Sequence, residues 1–237
     1  MNQTQDFTKG VIWKQLLFFF FPILIGSFFQ QLYNTVDTII VGQAVGTSAL
    51  AAVGSTGNLT SLIVNFYVGL STGASVVIAQ YYGAQNNKKI HQAVHTSYSL
   101  AIVSGILMML FGLFFSYQCL DAIGTPHDIL NDATLYMQLY FLCMIPGAIY
   151  NIGAGILRAV GDSKRPLYYL IVCSIVNVVF DFIFVVIFHQ GIAGAAIATV
   201  IAQFVCAILV TIQLMRTNEV YKLCLLYTSP SPRDGAT

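Results

Sequence analysis

The chain has 237 residues, 57% of them hydrophobic and 8% charged. A soluble domain carries about 25% charged residues, so a water-soluble globule is excluded and an integral membrane protein is indicated. The formal net charge of +1 leaves no basic footprint for nucleic acid.

Residues 1–10 read as a short cytoplasmic amino-terminal segment. Lys9 and Lys14 lead into an apolar run, as in a secretion signal, but the run continues to about Val41, far past the roughly 7–15 residues of a signal core. A bilayer core takes about 20 mostly apolar residues per helix. Residues 11–216 supply six such runs: Val11–Val41, Leu59–Tyr82, Ile90–Tyr117, Ala133–Leu157, Pro166–Phe188 and Ile192–Met215. The expected fold class is all-α integral membrane, a six-transmembrane-helix bundle. The first run is long enough to require tilt or a bend. Pro22 lies inside it, one turn before Gly26; its missing N–H and its clash with the preceding turn place a bend there.

The connections set the orientation. Lys9 and Lys14 precede the first run, Lys88 and Lys89 join the second to the third, and Arg158, Lys164 and Arg165 join the fourth to the fifth. Arg216, Lys222 and Arg233 follow the sixth. All the basic residues thus fall on one side, which the positive-inside rule makes cytoplasmic, with both ends of this chain inside and the protein multi-pass in the plasma membrane. The opposite connection Cys119–Asp132 holds Gly124-Thr125-Pro126 and reads as a turn followed by a short interfacial helix. Small residues recur at Gly42 and Gly46, Gly69 and Gly73, and Gly191, Gly194, Ala195, Ala196 and Ala198, where they allow close helix approach. Residues 217–237 read as a cytoplasmic, disordered tail. Its end, LCLLYTSPSPRDGAT over 223–237, cannot build a span or a core and reads as non-native.

Two acidic residues, Asp37 and Asp181, sit inside these apolar runs with no Lys or Arg nearby in sequence. A carboxylate at the centre of a spanning helix costs at least roughly 2.5–3.5 kcal/mol, and such residues usually face a hydrated cavity and carry ion or proton traffic. Asn177 is four residues from Asp181, so the two share a helix face. At a rise of about 1.5 Å per residue, Asp181 and Thr199 each lie roughly 10 Å from the outer end of their runs, and Asp37 somewhat nearer to it. The four groups fall in one layer. Their carboxylate, amide and hydroxyl oxygens are hard ligands, suited to Na⁺. Desolvation favours the neutral form of a carboxyl group and a like neighbour adds to this, so such a pair also suits H⁺. No resident cofactor or metal is implied beyond this coupling ion.

Other polar groups carry weaker readings. Gln30, Gln31, Tyr33 and Asn34 give the first helix a polar side that either lines a cavity or bonds neighbouring helices. His91 and His95 flank the start of the third run, and His127 and His189 lie in the outer connections without metal-spaced partners. The cysteines Cys119, Cys143, Cys173, Cys206 and Cys224 are scattered and read as small apolar residues rather than as a disulfide framework. Gly69-Leu70-Ser71-Thr72-Gly73 spells G-x-S-x-G, but it lies in a spanning helix without the strand–turn–helix context of a hydrolase. An intramembrane serine hydrolase using Ser71 is a distant alternative, and no enzyme is expected.

Six segments, in order, resemble the multidrug and toxic compound extrusion (MATE) family: QQLYNTVDTIIVGQAVGTSALAAVG from Gln30, GASVVIAQYYGAQNNKK from Gly73, IGTPHDILNDATLY from Ile123, LRAVGDSKRPL from Leu157, NVVFDFIF from Asn177 and GIAGAAIATVIAQ from Gly191. The resemblance covers about Val11 to Arg216. It implies one lobe of a twelve-helix transporter that exports small organic, often cationic, compounds in exchange for Na⁺ or H⁺. The family's coupling-ion residues fall on Asp37, Asn177, Asp181 and Thr199, and its bending proline on Pro22. The carboxy-terminal lobe is missing from this sequence, so the chain alone is expected to be inactive unless it pairs with a second half or another copy. A lipid or polysaccharide flippase of the same superfamily is the alternative. It would show an Arg-lined central cavity, which these runs do not suggest.

Overall fold

The computed structural model describes residues 12–224. The expected amino-terminal segment 1–10 and the end of the expected tail, 225–237, lie outside the described residues.

The described residues are helical and contain no strand. The helices are α1 (Ile12–Ala44), α2 (Thr47–Gly83), α3 (Asn87–Ala122), α4 (His127–Phe141), α5 (Met144–Ala159), α6 (Lys164–Asp181), continued by a π-helical turn Phe182–Ile187, and α7 (Gly191–Arg216). Five of them are long and apolar enough to cross a membrane, and α4 and α5, bent by 48° at their junction, meet the same criterion only when taken together as one span. Connections are short, so successive crossings run antiparallel. One end of the bundle carries Lys88 and Lys89 at the start of α3 and Lys164 and Arg165 at the start of α6 and is called the basic end below. The far end carries the turns at 45–46, 123–126 and 188–190.

Several boundaries differ from the sequence expectation, each for a local reason. The helix expected from Leu59 begins at Thr47, because residues 47–58 are small and helix-compatible and follow a two-residue turn at Gly46. That glycine has φ +112°, a conformation that disfavours any Cβ. The fourth crossing does not start with a separate interfacial helix. The chain is helical from His127 and breaks instead at Leu142–Cys143. Pro146 explains the position: it lies in the first turn of α5, where its missing N–H is tolerated, and it cannot continue the ladder back into α4. Pro22 lies within the unbroken helix α1.

Of the expected glycines, Gly194 makes a close contact, where a Cβ would come 3.0 Å from the Phe184 Cβ, and further close contacts fall at glycines not singled out in the sequence. A Cβ on Gly105 would come 2.8 Å from the Ile145 Cα, and one on Gly153 would come 2.7 Å from a Val210 methyl. Gly69 and Gly73 face open space, since their side of α2 turns away from the other helices of this chain. Ala195, Ala196 and Ala198 are fully buried on α7, as close packing requires. Large apolar residues such as Phe28, Leu62, Leu107 and Phe114 are exposed, which is the pattern of a lipid-facing surface.

Residues 217–224 are not tail-like. They fold back on the basic end: Leu223 N–H donates to the Leu214 carbonyl at 2.9 Å, Cys224 N–H donates to His95 Nε2 at 3.1 Å, and Tyr221 and Leu223 are buried. Two apolar side chains bury together here, which offsets the ordering cost of a short segment. A second correction concerns the cysteines. Cys173 on α6 and Cys206 on α7 form a disulfide with Cα atoms 5.8 Å apart, while Cys119, Cys143 and Cys224 are free. Two positions 33 residues apart meet only because α6 and α7 pack side by side, which spacing in sequence does not reveal.

Candidate functional site

The structure gathers Asp37, Asn177, Asp181 and Thr199. Asp37 lies about seven residues from the far end of α1, Asp181 about six from the far end of the π turn and Thr199 about eight from the start of α7, so all sit roughly 9–12 Å below that end at about 1.5 Å per residue. Helix α1 extends to Ala44, past the expected Val41, and this brings Asp37 down to the depth of the other three. The carboxyl groups of Asp37 and Asp181 lie against each other, within reach of a hydrogen bond once one of them carries a proton. Asn177 Nδ2 donates to Thr199 Oγ1 at 3.3 Å.

All four side chains are buried, Asp181 completely. Asp37 Oδ1, Asn177 Oδ1 and both carboxyl oxygens of Asp181 have no hydrogen-bond donor among the described residues. Buried acceptors are normally satisfied, and orphaned ones cost about 1–3 kcal/mol each, more when charged. Four orphaned oxygens from three residues in one layer form a hard, anionic donor set. Such a set fits a proton or a small monovalent cation.

Tyr33 and Tyr136 lie within electrostatic reach of this pair, and Tyr140 within reach of Asp37. Tyr136 and Tyr140 come from α4, whose break positions them, and sequence reasoning did not single them out. An i, i+4 aromatic pair just ahead of Pro146 was the available signal.

A cleft of about 630 Å³ runs along the inner wall, bounded by α1, α2, α5, α6 and α7. Asn177 and Thr199 line it, but Asp37 and Asp181 do not. The acidic pair therefore lies behind the cleft surface rather than in it. Pro22, Gln30 and Tyr33 line the cleft. Gln31 and Asn34 are exposed on α1 and are not part of the cleft wall. The disulfide Cys173–Cys206 borders the cleft one helical turn from Asn177.

Ser71 is buried, and its hydroxyl donates to the Asn151 carbonyl at 2.6 Å. That bond ties α2 to α5 and occupies the proton that a nucleophile would have to give up. Arg158, at the end of α5, also lines the cleft. The expectation that no arginine reaches the cavity is therefore corrected: Arg158 sits in the turn at the end of a crossing by sequence, yet its side chain folds along the α2 wall toward Ser71.

Comparison with known proteins gives one consistent result. The MatE family model matches residues 22–183. The chain is 29% identical over 220 residues to the probable multidrug resistance protein YoeA of Bacillus subtilis (strain 168), covering 91% of this chain and 48% of that protein. It is 30% identical over 198 residues to the probable multidrug resistance protein YpnP of the same organism, covering 84% and 44%. A solved outward-facing conformation of a multidrug resistance MATE family transporter of the MOP superfamily superposes with a TM-score of 0.84 at 28% identity, over 93% of this chain and 49% of that one. The chain thus spans about half the length of the curated relatives it matches.

Proposed function

Because the chain belongs to the MatE family, we propose that it is the amino-terminal lobe of a secondary active efflux transporter that exchanges Na⁺ or H⁺ for small organic, often cationic, compounds. The observation that carries this reading is the buried meeting of Asp37 and Asp181 with orphaned oxygens beside the Asn177–Thr199 hydrogen bond. Two carboxylates in contact repel strongly in a low-dielectric layer. A proton or Na⁺ between them removes that repulsion and draws α1 toward α6. An ion that binds one arrangement of these helices more tightly shifts the population toward it, and the differential affinity is the whole driving force.

The cleft is the substrate path. Its wall mixes apolar and aromatic side chains with many polar ones, among them Gln30, Asn151 and Gln203, which suits an organic molecule that carries polar groups. Pro22 and Gln30 bring α1 to the edge of this path, so movement of α1 on ion binding reshapes it. Alternating access in such repeats requires one lobe to move against another. The second lobe is a partner that this chain needs, and the lipid bilayer is its solvent. By the basic-residue rule the basic end faces the cytoplasm, which puts the acidic layer in the outer half of the membrane. The deciding experiment is ion-driven efflux by the two-lobed protein carrying Asp181→Asn. Loss of coupling is expected, and undiminished coupled efflux removes the proposed role.

A further inference from the structure

The cleft is chemically two-ended. Its far half abuts the acidic layer, and its basic end is walled by Arg158. Arg158 is half-buried on the last turn of α5. Its hydrogen-bond partner among the described residues is Ser71 Oγ, 3.5 Å from Nη2. The ion pair among the described residues is Arg165–Asp162 at 3.2 Å, so no carboxylate neutralises Arg158. Ser71 cannot do so either. Its oxygen only accepts, having given its hydrogen to the Asn151 carbonyl.

The position of the guanidinium is built rather than accidental. Gly155 precedes Arg158 by one turn on the same face, and a Cβ there would run into the hydroxyl oxygens of Ser71 and Ser75. Helices α2 and α5 therefore touch closely at this point and hold Ser71 where it steers Arg158 along the wall. Ser75 in turn donates to the Ser71 carbonyl at 2.7 Å, which locks the second hydroxyl. A guanidinium carries five N–H donors in a planar fork matched to an oxyanion. Arg158 lines the cleft, and one long contact uses only one of those donors. Burying such a cation without a counter-charge is costly, and an anion in the cleft relieves the cost. Phe19, Ala79 and Tyr150 border the same end and suit an apolar tail.

We propose that Arg158 forms an oxyanion subsite at the basic end of the cleft, receiving the phosphate or carboxylate group of an amphiphilic molecule. This goes beyond the cation-coupled reading, and it is measured as binding, so it stands or falls separately from transport.

The test uses the full chain in a neutral maltoside detergent, with the thermal unfolding midpoint read against added decyl phosphate, inorganic phosphate or the uncharged chain-matched decanol. Decyl phosphate should raise the midpoint saturably, and decanol should not. Arg158→Gln should weaken half-saturation by about tenfold or more, the range for a lost hydrogen bond to a charged group. Arg158→Lys should weaken it less, and Lys88→Gln, at an exposed basic position, should leave it unchanged. If Arg158→Gln does not fold, the wild-type discrimination between decyl phosphate and decanol together with the Arg158→Lys shift decides. Retention of phosphatidylglycerol over phosphatidylcholine in native mass spectrometry, lost in Arg158→Lys, would identify a lipid headgroup as the source. Equal half-saturation by inorganic phosphate would identify a free anion. Absence of a saturable effect, equal response to decanol, or an effect unchanged by both Arg158 substitutions overturns the subsite.

Discussion

Asn177 spends its amide N–H on Thr199 Oγ1 across the α6–α7 interface, and its carbonyl oxygen is left without a donor. The hydrogen bond fixes which way the amide points, and so turns an acceptor toward the layer occupied by Asp37 and Asp181. Thr199→Val keeps the shape and removes the acceptor. The orphaned amide should cost about 1–3 kcal/mol of stability and free the amide to flip. The check is a denaturation midpoint together with cation-dependent stabilisation; Asn177→Ala should abolish the second without needing the first.

Na⁺ and H⁺ are mutually exclusive at one set of oxygens. Sodium chloride, compared with choline chloride, should raise the unfolding midpoint of the chain, the stabilisation being about 2.7 kcal/mol when the ion is at a hundred times its dissociation constant. Acidification should weaken the apparent Na⁺ affinity, because a protonated pair offers less charge. Asp37→Asn should remove both effects. Additive, pH-independent Na⁺ stabilisation in Asp37→Asn would show that the cation sits elsewhere.

Glycines in this bundle predict opposite signs. Gly105→Ala drives a methyl against the Ile145 backbone, which cannot swing away as a side chain can, and should cost about 1–3 kcal/mol or more. Gly54→Ala, with open space around it on α2, should be neutral or stabilise by up to about 1 kcal/mol through helix propensity. Paired unfolding curves of the two variants check this. Equal effects would contradict the packing described for α3 and α5.

The cysteines give a covalent check. In the denatured, unreduced chain Cys119, Cys143 and Cys224 should alkylate, and Cys173 and Cys206 should alkylate only after reduction. A peptide pair linking α6 to α7 should appear in the unreduced digest. Five reactive thiols before reduction would refute the bond.

The crossings were legible from apolar run length, because the bilayer imposes one dominant constraint on every helix. That Asp37, Asn177, Asp181 and Thr199 share one layer was legible too: polar groups are rare in such runs, and helix rise converts sequence distance into depth. Arg158 was misjudged because it was counted with a basic turn, and nothing in a linear string shows a side chain running back along a neighbouring helix. The α4–α5 break was missed because the window that finds an apolar crossing averages over Pro146. The buried strap at Tyr221 and Leu223 was obscured by the Ser/Pro-rich residues that follow. The Cys173–Cys206 bond required knowledge of which helices are neighbours.

The wide turn Phe182–Ile187 begins at the residue after Asp181, and its closing bond runs from Phe188 N–H to the Ile183 carbonyl. A turn of this kind holds one residue more than an α turn and is common beside functional positions. The wide winding absorbs that extra residue, so the turn at 188–190 keeps close to the bearing that one residue fewer in ordinary helix would give it. Deleting a single amino acid there should therefore restore ordinary winding and leave that turn nearly in place, whereas inserting one more should swing it around the helix axis by roughly 100°. Length change in these six positions should be tolerated in one direction only.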